Sequence, residues 1–98
     1  MLFWYINTMI AKSDDSPELI VERVQTGVRI EKRLLKVLKA LAEYHDMSLG
    51  DLLEGIVLHA FDGKCAFSKE SLQRIGDLKR IYGLDLDSAA SHRMRDRK

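Results

Sequence analysis

From Val24 the chain alternates apolar with polar residues, Val24-Gln25-Thr26-Gly27-Val28-Arg29-Ile30. A period of two predicts a half-buried strand. The period then lengthens to that of an amphipathic helix, expected from about Glu31 to His45. Leu34, Leu38, Leu41 and Ala42 fall on one stripe, Leu35 and Val37 flank it, and Lys32, Lys36, Lys39 and Glu43 face away. Neither Ile30 nor Glu31 is a preferred capping residue, so the start of this helix is expected to be weak. A second helix opens at Ser48, a preferred N-cap, with Asp51 three residues later. Leu49, Leu52, Leu53, Ile56, Val57, Ala60 and Phe61 repeat at helical spacing before Gly63 stops it. Gly55, unfavourable inside a helix, marks a place for close packing. Leu72, Ile75, Leu78, Ile81 and Tyr82 predict a third helix over about 68–82, ended by Gly83. No second strand of comparable clarity follows.

A lone strand exposes a row of unpaired N–H and C=O groups. Its economical partner is the same strand in a second copy, related by a two-fold axis. The expected fold is therefore mainly α, with one N-terminal strand pairing between subunits in an intertwined dimer. The dimer core would hold Val24, Val28 and Ile30 under Leu34, Leu38, Leu41, Leu52, Leu53, Ile56 and Val57. Gln25, Gly27 and Arg29 would point outward.

Composition narrows the class. With 98 residues, 46% hydrophobic and 32% charged, the chain is expected to be one small soluble domain with flanking segments. A folding unit of roughly 40 residues is at the limit of what one core supports unaided. The flanks divide the chain into an apolar arm and linker over 1–18, a domain over 19–63 and a C-terminal helix with a tail over 64–98. The arm, MLFWYINTMI, is too short for a membrane span and lacks the basic start of a signal peptide, so no membrane partner is expected. AKSDDSPE reads as a linker. Beyond it, either Leu19-Ile20-Val21 extends the strand or Ser16-Pro17-Glu18 starts a short helix. The single cysteine, Cys65, excludes an intrachain disulfide and suits a reducing cytoplasm.

A formal net charge of +1 conceals an uneven distribution. Arg23, Arg29, Lys32, Arg33, Lys36 and Lys39 meet only Glu31 over 23–39. Over 40–63, Glu43, Asp46, Asp51, Glu54 and Asp62 meet no Lys or Arg. The strand and first helix thus build a basic surface, although a solvated helix face also collects lysines. Arg93, Arg95, Arg97 and Lys98 make the tail basic, either as a solvated end or as a nucleic-acid contact.

Over residues 24–61 the chain resembles the ribbon-helix-helix DNA-binding domain of the Arc, MetJ and CopG repressor class. The resemblance rests on the alternating strand with Arg29, the helix with Leu34, Leu38, Leu41 and Ala42, the turn Tyr44-His45-Asp46-Met47, and Ser48 opening an apolar helix. It implies a homodimeric, sequence-specific regulator, typically a repressor, in a bacterial or archaeal cytoplasm and on the nucleoid when bound. Higher-order assembly on DNA also belongs to this implication. The paired strands would enter the major groove of double-stranded DNA, with Gln25, Gly27 and Arg29 facing the bases. Arginine suits guanine O6 and N7, and glutamine suits adenine. Lys32 and the amides of Ser48 and Leu49 would hold phosphates, since a helix N-terminus offers free N–H groups and partial positive charge. Here Gly27 has no side chain, Thr26 stands where an apolar residue is usual, and Glu31 replaces the usual proline or small polar residue.

Two alternatives stand beside this reading. Gln25 and Arg29 also suit an ordinary solvated face, which would make the domain a dimerisation module without DNA binding. An antitoxin would add a protein partner for residues 64–98. An enzyme is not expected: His45, His59 and His92 are far apart, with neither an HExxH motif nor a phosphate-binding glycine loop. No metal or cofactor is expected. His59 suits packing or hydrogen bonding beside the apolar face, and Cys65 suits a structural thiol.

Overall fold

The computed structural model describes residues 18–97. The apolar arm and most of its linker, with Ser16 and Pro17, lie outside the described residues; Leu19-Ile20-Val21, one of the two readings there, is irregular and exposed rather than an extension of the strand. Three α-helices follow one another: α1 (Lys32–Tyr44), α2 (Leu49–Phe61) and α3 (Lys69–Tyr82), then a 3-10 turn at Ser88–Ala90. The described chain is mainly helical, with boundaries within a residue or two of those the periodicity predicts.

Each helix starts on a side-chain cap. Ser48 Oγ accepts from the Asp51 amide at 3.1 Å, and Ser68 Oγ accepts from the Ser71 amide at 3.1 Å. At α1 the expectation of a weak start is corrected. Glu31 extends its longer side chain back so that Oε1 accepts from the Leu34 amide at 2.8 Å. That amide holds the Glu31 carboxyl below its ordinary pKa, opposed by partial burial and aided by Arg33.

The helix ends also share one device. A residue in the left-handed region turns the chain, and the next amide reaches back five residues. Asp46 (φ 57°) does so after α1, with the Met47 amide on Ala42 O at 3.0 Å. Gly63 (φ 70°) and Gly83 (φ 66°) do so after α2 and α3, with Lys64 on His59 O and Leu84 on Lys79 O, both at 2.8 Å. The residue after each turn thus starts in a fixed direction, and two of them, Met47 and Leu84, run into apolar surroundings.

Helix α1 is central and packs on both α2 and α3. Leu41, Ala42 and Leu52 form the buried nucleus, surrounded by Leu38, Met47, Ile56, Phe67, Ile75 and Leu78. Val37 and Leu84 are also buried, and the charged face of α1 (Lys32, Lys36, Lys39, Glu43) is exposed as expected. Of the expected core residues, Leu34, Leu53 and Ile56 are half-buried while Val57 is exposed.

Residues 18–31 carry no regular secondary structure, and no strand occurs among the described residues. A β-ladder needs a second strand, and the described part of one chain offers none. Val24 and Val28, expected in a core, are 82% and 74% exposed, and Ile30 is half-buried. Helix α2 leaves much of its apolar surface open too: only Leu52 is buried, whereas Leu58 and Phe61 are 63% and 81% exposed.

Candidate nucleic-acid interface

The segment before α1 is tied to the body at two points. Arg23 places Nε and Nη2 against the two carboxylate oxygens of Glu54, both at 2.8 Å, with Asp51 at 3.5 Å. Asp51 and Glu54 are three residues apart and so share a face of α2. The fork holds residue 23 beside the first two turns of α2. It also keeps the Glu54 carboxyl below its ordinary pKa, principally through the hydrogen bond from Arg23. The second tie is Arg29, which donates to Asp96. Both pairs are exposed, so each adds little to stability and is screened by salt.

The expected base-facing residues Gln25, Gly27 and Arg29 are all exposed. A Cβ placed on Gly27 would meet nothing within 4 Å, so neither close packing nor a positive φ requires glycine there. Lys32 is exposed at the first residue of α1, without an ion pair to another described residue. Arg33, next to it, is already committed. It donates to Glu31, to Gly83 O and to Asp85, joining the start of α1 to the end of α3. Ser48 and Leu49 open α2 as expected. Ser48 Oγ is used on Asp51, and the earliest amides of the turn have no helical acceptor. Asp51 in that first turn complements the helix dipole but opposes an approaching phosphate.

Among the described residues no three His, Cys, Asp or Glu side chains are grouped to hold a metal ion, and no helix is long and apolar enough to cross a membrane. His59 Nδ1 lies 2.7 Å from Gly55 O within α2, a hydrogen-bonded histidine in keeping with its sequence position. Cys65 is exposed, its Sγ 3.6 Å from Phe67 O, so it does not pack as the structural thiol expected.

One polar cluster had no sequence signal. Ser71 is 6% exposed, and its Oγ lies 3.2 Å from Ser68 Oγ and 3.1 Å from His45 Nε2. The residues are 26 apart, and only the packing of α1 on α3 brings them together. Burial pushes His45 below its ordinary pKa, partly opposed by Glu70. Alongside, Arg74 stacks over the Tyr44 ring at 4.7 Å and Tyr44 meets His45 edge-on at 5.0 Å. A serine beside an imidazole is also the pairing of a nucleophile with its base. Buried between two helices, however, Ser71 presents no hydroxyl to a substrate, and the pair latches α1 to α3. Comparison with family models, curated proteins and solved structures returns no match.

Proposed function

We propose that the chain is a homodimeric, sequence-specific DNA-binding regulator of ribbon-helix-helix type, acting as a repressor. One observation carries this reading: a segment of alternating apolar and polar residues, irregular and without a neighbouring strand among the described residues, precedes helices whose apolar surface is open. Val24 and Val28 on the segment, and Val57, Leu58 and Phe61 on α2, are all exposed in the single chain. Covering a side chain of this size contributes roughly 1.5–3 kcal/mol. A second copy supplies both a strand for residues 24–30 and an apolar face for α2. Pairing would then leave Gln25, Gly27 and Arg29 on the outer face of a two-stranded ribbon, of a size the major groove admits. The exposed lysines of α1 would lie beside it, in a position to meet phosphates.

A dimer neutralising about 6 phosphates should lose affinity for duplex DNA with a log–log salt slope of roughly −5. Gel retardation by the full chain over a range of ionic strengths measures it. A dimer that retards no duplex even at low salt supports the dimerisation module instead. A small protein co-purifying with the chain through residues 64–98 would favour the antitoxin.

A further inference from the structure

The C-terminal tail returns to the segment that carries Arg29. Asp96, 67 residues away, accepts two hydrogen bonds on one oxygen: Arg29 Nε donates to Oδ2 at 2.9 Å and Nη2 donates to the same oxygen at 2.5 Å. A guanidinium has five N–H donors in a rigid plane. The side-on pair uses the Nε hydrogen and the Nη2 hydrogen beside it. Both hydrogens of Nη1 and the second of Nη2 remain, and one from each nitrogen forms the end of the fork. That edge is free to pair with guanine O6 and N7. The carboxylate therefore holds the side chain without covering its end-on edge. A side chain already held loses less rotamer freedom on binding than one moving freely in solvent.

We propose that Asp96 is a positioning residue for base readout: it braces Arg29 from the side, so that the C-terminal tail forms part of the reading head. The proposal rests on the DNA-binding reading above. Arg95 and Arg97 flank Asp96 in sequence, and neither makes an ion pair with another described residue. The brace thus also brings unneutralised guanidinium charge next to the ribbon, where phosphates of a bound duplex pass.

The test uses the full chain as wild type, Arg29→Ala, Asp96→Ala and the double variant. Each is measured on a selected duplex and on one in which the guanine read by Arg29 is replaced. Arg29→Ala should lose roughly five- to hundredfold of discrimination at that guanine, and Asp96→Ala a smaller part of it, roughly two- to fivefold, as befits an exposed pair. The double variant should be no worse than Arg29→Ala alone, because both act through one side chain. Thermal unfolding should be unchanged in Asp96→Ala, since the pair is exposed. Additive losses, an unchanged preference, or an equal loss on every duplex would overturn the brace. A gain in discrimination at that guanine in Asp96→Ala would also overturn it, since the tail would then mask Arg29 rather than brace it. A wild-type chain with no preferred duplex, or a preference that survives Arg29→Ala, removes the DNA-reading proposal and the brace together. A preference lost in Arg29→Ala but intact in Asp96→Ala removes the brace alone.

Discussion

At the scale of single residues, Gly27 and His45 make opposite predictions. Gly27 lacks a positive φ and its surroundings are open, so Gly27→Ala should change stability by no more than about 0.5 kcal/mol in thermal or denaturant unfolding. His45 should couple stability to pH. Burial depresses its folded pKa, so the native state resists a proton that the unfolded chain accepts near pH 6.5, the ordinary imidazole value. Stability should thus be level above that point and fall as pH drops through it, and the fall should shrink in His45→Gln. Glu31 and Glu54, whose pKa values are lowered, act in a separate and more acid window. Their contributions are present above the ordinary carboxylate range and fade as pH falls below it. A pH titration of the melting temperature that shows no His45-dependent step would contradict the buried latch. None of this was legible in the sequence: the His45–Ser71 pair depends on packing between separate helices. The Glu31 cap was missed because capping preference favours short side chains, and here a longer one bends back to the same amide.

At the scale of elements, the helices were legible almost to the residue, because apolar spacing marks all three and the residues at the starts of α2 and α3 agree with it. Ser48 and Ser68 cap where a serine precedes an apolar-periodic run, and Gly63 and Gly83 terminate where a positive φ is needed. Ser48→Ala should cost about 1 kcal/mol of unfolding free energy through the lost bond to the Asp51 amide. Leu41→Ala should cost about 2–5 kcal/mol, since Leu41 is among the most deeply buried side chains and its loss opens a cavity at the centre of the core. The turn after α1 was less legible, as Asp46 takes a backbone region usually held by glycine or asparagine. The alternating segment 24–30 is the element whose pattern is not realised within the chain. Alternation states which side chains share a face but not what supplies the neighbouring strand.

At the scale of the whole molecule, Val24, Val28, Leu58 and Phe61 are left open by one copy, and the proposed second copy makes folding and association one event. The melting temperature should therefore rise with protein concentration, and Phe61→Asp should lower it at every concentration by weakening the association. A concentration-independent transition with a monomeric mass in sedimentation would oppose the dimer. The return of the tail to Arg29 was beyond reach of the sequence, since no local pattern connects residues 67 apart. Charge clustering did anticipate a basic tail, but not that Asp96 within it would meet Arg29. The most direct measurement of the DNA-reading claim is selection of bound sequences from random duplex DNA by the full chain. A two-fold-related ribbon should enrich an inverted repeat, with a guanine at one position of each half-site that Arg29→Ala no longer prefers. Recovery of unenriched sequence by a chain that is dimeric in solution would contradict it.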